Sequence, residues 1–335
     1  MWRTLSAALA VCAAMLIPAP AWSDTPAGGT AGSPPVSDRE RAQADEIAGL
    51  KRDMQVVVEE LQSMRTQLGV PEEKTLESSY GLGPAASRVY SAGRGLSVGG
   101  YAEAVYRNRF NDSRDGTDTA DFTRMVMYLG YKYNDWIVFN TEIEFEHAST
   151  GEDGSVSVEF ATLDFLLDDA FNVRAGLVLI PMGFLNEMHE PPFYYGTQRP
   201  SPERAIIPST WRENGVGIFG TFAEALEYRV YVVNGMDASG YSSKGLRGGR
   251  QKGSEASAED LAFVARLDWQ ACDELQVGGS YYIGKAGQDQ RVDQPVSMTE
   301  FKLPDARTQI WEVHADWRHE GWHARGLFTQ ATVSD

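Results

Sequence analysis

The chain is poor in cysteine, in histidine and in long apolar runs, and each shortage removes a class of protein. Its two cysteines are Cys12 and Cys272. Cys12 falls inside an N-terminal leader, so Cys272 has no partner and no disulfide-stapled scaffold is expected. The five histidines form no ligand pattern. Glu187, His189 and Glu190 cluster, but their spacing matches no zinc signature, so no metal and no cofactor is expected. There is no GxSxG, no P-loop and no GxGxxG, so no catalytic residue is assigned and the chain does not read as an enzyme. Beyond the leader nothing approaches about 18 consecutive apolar residues, which excludes a transmembrane helix. It does not exclude a membrane barrel, whose strands need only about 10 residues and show lipid one face. Acidic residues outnumber basic ones 47 to 30, giving a net charge of -17. Nucleic acid is therefore not an expected partner. Much of that acid sits in connectors, at Asp112, Asp115, Asp118 and Asp121.

Three segments precede the main body. Residues 1–23 have the layout of a cleaved signal peptide: Arg3, an apolar stretch over 7–17, and small residues around Ala19 to Ala21 or Ala21 to Ser23. Val11 before Cys12 is a poor match to a lipoprotein cut site. Residues 24–38, rich in Gly, Pro, Ser and Thr, read as a flexible linker. Over 39–69, Ile47, Leu50, Met54, Val57, Leu61, Met64 and Leu68 alternate at spacings of three and four, an a/d seam. Glu46 with Lys51, and Glu60 with Arg65, sit at the spacing of interhelical charge pairs. A coiled coil is the expectation; a single amphipathic helix packed on a domain is the alternative, and the seam does not choose between two and three strands. Gly69 and Pro71 stop the helix, and 70–95 reads as a second linker.

From Leu96 to the end, runs of alternating apolar and polar residues recur, at about 96–110, 122–134, 137–149, 155–168, 171–182, 216–223, 226–236, 259–270, 275–285, 307–318 and 322–333. Tight turns at Asn134-Asp135, Asp168-Asp169, Ala223-Glu224-Ala225, Asp273-Glu274 and His319-Glu320-Gly321 alternate with long polar connectors. Short turns on one rim and long loops on the other predict an all-β transmembrane antiparallel barrel over 96–335. With a helix on the N-terminal side, the short turns and that helix are expected in the periplasm.

Strand parity predicts the lumen. Glu142, Glu144 and Glu146 share one face of the third run. A charge against lipid costs about 2–4 kcal/mol at mid-depth, so they must meet water. The same division gives Glu103, Arg107 and Arg109, Arg124 and Lys132, Arg174, Glu227 and Arg229, Arg266 and Asp268, then Glu312, His314, Asp316 and Arg318. In the fourth run Glu159 and Asp164 have opposite parity, which a bulge would reconcile. Tyr101, Tyr133, Trp136, Trp269, Trp317 and Trp322 lie near run ends, as in interfacial girdles. The longest connector, 184–215, mixes aromatics and prolines, so it is expected to pack on something. Folded inward, it would place Arg199, Arg204 and Arg212 at a constriction opposite the Glu142, Glu144 and Glu146 stack; an outward cap on an oligomer contact is the competing reading. The glycine-rich basic stretch from Gly245 to Gly253 reads as an outward loop attractive to anions.

The chain resembles bacterial outer-membrane porins of the phosphate-selective O and P type. The residues that carry the likeness are Thr141-Glu142-Ile143-Glu144-Phe145-Glu146-His147, Asn186-Glu187-Met188-His189-Glu190-Pro191-Pro192, Ile207-Pro208-Ser209-Thr210-Trp211-Arg212-Glu213 and Val232-Val233-Asn234-Gly235. The resemblance implies a homotrimer of barrels with periplasmic helices, in the outer membrane of a Gram-negative cell, passing small anions such as phosphate by diffusion. Phosphate selectors of that group carry inward ladders of Arg and Lys; the lumen inferred here is mixed in sign, and no binding residue is carried over. Barrels of this kind have even strand numbers, so with eleven runs the expectation is that closing strands are missing. The function expected is an outer-membrane porin for small hydrophilic or ionic solutes. Its expected partners are membrane lipid, its own copies through coiled coil and barrel wall, and the solutes. A non-channel barrel (anchor, adhesin or lipid-acting enzyme) and a secreted soluble β-sheet protein are the alternatives.

Overall fold

The computed structural model describes residues 47, 49–57, 60, 77–108, 118–149, 151, 154–196, 198–223, 225–293, 300–302 and 304–335. The chain divides into two units, Met1–Glu73 and Lys74–Asp335. In the first, every described residue is helical. Ile47, Leu50, Met54 and Val57 of the expected seam are all exposed. Leu61, Met64, Leu68, the leader and the 24–38 linker lie outside the described residues. Among the described residues no helix is long and apolar enough to cross a membrane.

The second unit opens with a helix where a linker was expected. Helix α1, Pro84–Ser91, has proline in its first turn, where the missing N–H costs nothing. Ala86 and Val89 are buried, and Ala86 joins Leu82, Val126, Tyr128, Phe160 and Leu179 in one apolar cluster. Eight residues are too few to show helical periodicity, and tertiary packing holds this helix rather than propensity.

Strands β1 (Gly95–Arg107), β2 (Thr119–Lys132), β3 (Ile137–Glu146), β4 (Val156–Asp168), β5 (Phe171–Leu179), β6 (Arg212–Phe222), β7 (Leu226–Asn234), β8 (Leu261–Cys272) and β9 (Leu275–Gly284) follow in order. After a small hairpin, β10 (Arg291–Asp293) with β11 (Glu300–Lys302), come β12 (Arg307–His319) and β13 (Trp322–Ser334). All but the small hairpin form one eleven-stranded sheet in chain order, antiparallel throughout, with β1 and β13 at its edges. Each of the eleven runs coincides with a strand. The main departure is β6, which begins at Arg212 rather than 216, so Arg212 and Glu213 belong to a strand and not to the long connector.

This order puts the five tight turns on one rim. Neighbouring turns are tied together there: Leu166 N donates to Trp136 O, Thr221 N to Asp169 O, Gln270 N to Ala225 O and Arg318 N to Glu274 O, each at 2.8 Å. Local chemistry makes the turns. Asn134 Oδ1 accepts from the backbone N–H of Trp136 and Ile137 at 3.0 and 2.7 Å. Glu320 and Gly321 both take positive φ, the two-residue hairpin conformation for which glycine is suited. β1 starts at this same rim, since Gly95 pairs with Lys132.

The two faces of the sheet are inverted relative to a water-soluble protein. One face buries Glu142 (1% exposed), Asp164 (0%), Arg229 (3%) and Glu312 (1%). The other exposes Val98 (48%), Leu267 (49%), Trp269 (52%) and Val313 (52%). The expected bulge is present. Glu142 pairs with Phe160 but Ile143 with Val158, which leaves Glu159 unpaired and turns it to the same face as Asp164.

Helix α1 lies on the polar face over Gly130, where an added Cβ would come within 2.6 Å of Val89. Gly130→Val is expected to displace the helix, at a cost of about 1–3 kcal/mol for overpacking, while the sheet persists. Faster trypsin cleavage at Arg88 with unchanged heat-modifiable gel mobility would show it; equal cleavage in both proteins would contradict the packing.

Candidate functional site

The connector 180–211, between β5 and β6, crosses the polar face from β2 to β13. Its two ends are clamped by one amide. Asn186 Nδ2 donates to Ile180 O and Trp211 O at 2.7 and 2.8 Å, and its Oδ1 accepts from Trp211 N at 2.6 Å. Met182, Ile207 and Trp211 are buried with Tyr231, Val264, Tyr282 and Ile310. Apolar burial thus seats the connector, and polar groups fix its register.

Each strand group meets the connector through charge. On the β2–β4 side His189 Nε2 lies 3.1 Å from Glu142 Oε1, and Tyr128 Oη donates to Glu190 at 3.1 Å. Toward β7 and β8, Arg229 holds Glu187 at 2.8 Å and Asp268 at 2.6 Å, and Arg266 donates to Asp268 at 2.7 Å and to Gly183 O. His314 sits between Asp268 and Glu312, at 2.8 and 2.9 Å. At β13, Arg325 bonds Asp316 at 2.8 Å and Phe193 O at 2.6 Å. Asp164 and Arg174 form a separate buried pair, joined by Tyr90 Oη of α1 at 2.6 Å. In a low-dielectric setting these groups are tolerable only because nearly every charge is paired and bonded.

The lumen residues expected from sequence fall into distinct places. Glu103, Arg124 and Glu144 come together, with Arg124 at 3.0 and 2.9 Å from the two carboxylates. Lys132 caps the end of α1 through Tyr90 O and Ala92 O. Glu146 accepts from Ser155 Oγ at 2.6 Å. Arg174, Arg229, Arg266 and Glu312 lie in the pairs just described. Arg107 is exposed at the end of β1, and Arg109 lies outside the described residues.

Among the described residues none of the arginines expected at the constriction forms an ion pair with Glu142, Glu144 or Glu146, although the Glu144 charge acts on Arg199. Arg212 holds Glu159 at 2.8 Å from β6. Arg199 braces the connector through His189 O at 3.0 Å, and Arg204 is exposed, reaching only Gln198 at 3.5 Å. The partners of Glu142 and Glu144 are instead His189 and Arg124. Sequence reasoning met Glu187, His189 and Glu190 as a poor metal motif and as part of a stretch carrying the family likeness, with no role assigned; in the structure they are the connector's anchors. Their setting among prolines and aromatics was the available signal. Among the described residues no group of His, Cys, Asp or Glu is arranged to hold a metal ion.

Between connector and short-turn rim a cleft of about 770 Å³ remains. It is lined by both signs of charge, including Glu187, Glu227, Arg229, Asp268, Arg318 and Arg325, and by Tyr80 of the segment before α1.

No protein-family model matches the chain. An uncharacterized protein of Aquifex aeolicus (strain VF5) is 39% identical over 279 residues, covering 81% of this chain and 60% of that protein. The chain therefore spans about 60% of the length of that relative. Among solved structures it is similar to a loop L8 deletion mutant of OmpT, an outer membrane protein of Vibrio cholerae. There the TM-score is 0.44 at 12% identity, over 72% of this chain and 70% of that one. The in-vitro folded trimer form of Vibrio cholerae OmpT gives a TM-score of 0.30 at 11% identity, over 71% and 79% of the chains. Salmonella typhi OmpF in complex with daunomycin gives 0.32 at 11% identity, over 71% and 77%.

The connector's anchors respond to pH in one direction. Burial alone would lower the pKa of His189, but the Glu142 charge and hydrogen bond outweigh it and raise it. Arg199 opposes that rise and Glu159 adds to it. Burial raises Glu187 and Glu190. A raised folded-state pKa means stabilisation that is complete below the unfolded value and lost as pH climbs through the folded one. Protonation of His189 therefore strengthens the connector's contact with Glu142. For His189 the loss begins near about pH 6.5, the ordinary imidazole value. A nitroxide at Gln198→Cys, in a Cys272→Ser background, should gain mobility as pH rises above that point. His189→Gln should abolish the change there, and a spectrum independent of pH in the parent would contradict it.

Proposed function

We propose that the chain builds the wall of a water-filled channel in a Gram-negative outer membrane, passing small hydrophilic solutes and ions by diffusion. The observation that carries this reading is the inverted sheet: charge on the covered face, large apolar side chains on the open one. A sheet in water has no reason to expose Val98, Leu267, Trp269 and Val313 along one face, and lipid does. A closed barrel satisfies the backbone of every strand in hydrocarbon. The short-turn rim, where β1 begins, faces the periplasm, and the long connectors face outward. The N-terminal helix lies in the periplasm, and its apolar seam supports a coiled coil between copies in a homotrimer. Connector 180–211 and α1 narrow the passage from the two rims. Mixed charge along the interior gives weak ion selectivity, without catalysis.

Full-length protein in planar lipid bilayers should give discrete conductance steps. Glu142→Gln with Glu144→Gln removes two negative charges and leaves Arg124 and His189 behind, so the reversal potential in a salt gradient should shift toward anions. Absence of steps would reject the channel, and an unchanged reversal potential would reject this lining.

A further inference from the structure

The stretch 79–92, from the turn before α1 to the residue after it, lies on the polar face without joining the eleven-stranded sheet. It is folded on itself. Ser87 Oγ accepts from Ser79 N at 2.9 Å and donates to Leu82 O at 3.0 Å, so one hydroxyl ties the turn to the helix. Tyr80 and Gly81 take positive φ at that turn, and Leu82 N donates back to Ser79 O at 3.0 Å. Tyr80 and Tyr90 meet edge to face, with 4.9 Å between ring centroids. A stretch closed on itself in this way moves as one piece.

Its hold on the wall is apolar or made by single hydrogen bonds. Leu82, Ala86 and Val89 are buried, the first two in the cluster with Val126, Tyr128, Phe160 and Leu179. Tyr90 Oη donates to Asp164 at 2.6 Å, Asn140 Nδ2 to Ala86 O at 2.8 Å and Arg174 Nη1 to Tyr80 O at 3.4 Å. Among the described residues no ion pair joins the stretch to a strand or to the connector.

The wall beneath keeps its own partners. Asp164 accepts from Arg174 with both oxygens, at 2.9 and 2.8 Å, and Arg229 holds Glu187 and Asp268 at 2.8 and 2.6 Å. Departure of the stretch therefore leaves no charge unpaired, the outcome that makes buried pairs costly to break. It also relieves a defect. Glu187 Oε1 and Arg229 Nε are buried with no hydrogen-bond partner among the described residues. Gly81 covers this pair: a Cβ added there would collide with Arg229 Nη1 and stand 2.7 Å from Glu187 Oε1. The seated stretch keeps water from two polar atoms and bonds neither, and its release lets both hydrate. Burial of three apolar side chains favours the seated state, while those unmade bonds and the ordering of the stretch oppose it.

We propose that 79–92 is a displaceable stopper: it seats on the polar face and leaves it as one body, and its departure widens the passage near the short-turn rim. The widening rests on the channel reading above. The release does not, and different measurements read the two.

Ser78 Oγ lies 3.7 Å from Met188 Sδ of the connector, which gives a place to pin the stretch. Full-length protein carrying Ser78→Cys, Met188→Cys and Cys272→Ser would be bridged with a short bis-methanethiosulfonate, a link that a reductant cuts. In liposomes, amide hydrogen exchange over 82–92, read by mass spectrometry, should slow by at least about tenfold on bridging and recover on reduction. Fraying of the helix alone would be blind to a bridge at position 78. Ala86→Asp, which sets a carboxylate in the apolar cluster, should speed the same amides by at least about tenfold while exchange in β12 stays unchanged. In planar bilayers the unbridged protein should switch between a smaller and a larger conductance, and the bridge should remove the larger. Exchange over 82–92 that is equal in bridged and reduced protein overturns the release. Conductance levels that the bridge leaves unchanged overturn the widening. If none of these proteins gives conductance steps, the channel reading falls and the widening with it, and exchange still decides the release.

Discussion

Buried charge must find partners and exposed apolar surface must find something other than water; the sheet meets both demands by giving each its own face. Everything else follows from that division. The eleven strands can each alternate because their side chains have period two, and the bulge at Glu159 brings Glu159 and Asp164 of β4 to the same face. The inner face then holds Glu142, Asp164, Arg229, Asp268 and Glu312 in a setting where an unpaired charge would cost several kcal/mol. Arginine supplies most of the compensation, and its planar fork explains why: Arg229 reaches Glu187 and Asp268 at once, and Arg174 takes both oxygens of Asp164.

The connector 180–211 covers that lining and is fixed to it by paired charges. A loop on a surface would leave its backbone to water, whereas this one is held at both ends by the Asn186 amide and at its middle by Glu187, His189 and Glu190. Helix α1 does the corresponding job near the short-turn rim, through Tyr90, Asn140 and Lys132.

Much of this was legible in the residues. Strand positions, the turn rhythm and the inward set Glu103, Arg124, Glu142, Glu144, Arg174, Arg229, Arg266 and Glu312 follow from parity alone. What parity cannot give is who pairs with whom. Arg199, Arg204 and Arg212 looked like the partners of the glutamate stack, but the stack meets Arg124 on the next strand and His189 on the connector. Helix α1 escaped because Gly and Pro flank eight residues whose order comes from Val126, Tyr128 and Gly130, far along the chain. The start of β6 escaped because the adjacent charges Arg212-Glu213 carry no apolar alternation; only pairing with Leu179 and Val178 makes it strand. The β10–β11 hairpin is three residues a side, below any periodic signal.

The face inversion itself can be measured site by site. Single nitroxides would be placed at Val98, Val216 and Val313 on the apolar face and at Gln276 and Thr329 on the polar one. With Cys272→Ser as background and the protein in liposomes, collision with oxygen would be compared to collision with a water-soluble nickel complex. The first three should favour oxygen and the last two nickel. Nickel access at Val98, Val216 and Val313 equal to that at Gln276 would contradict a lipid-facing wall.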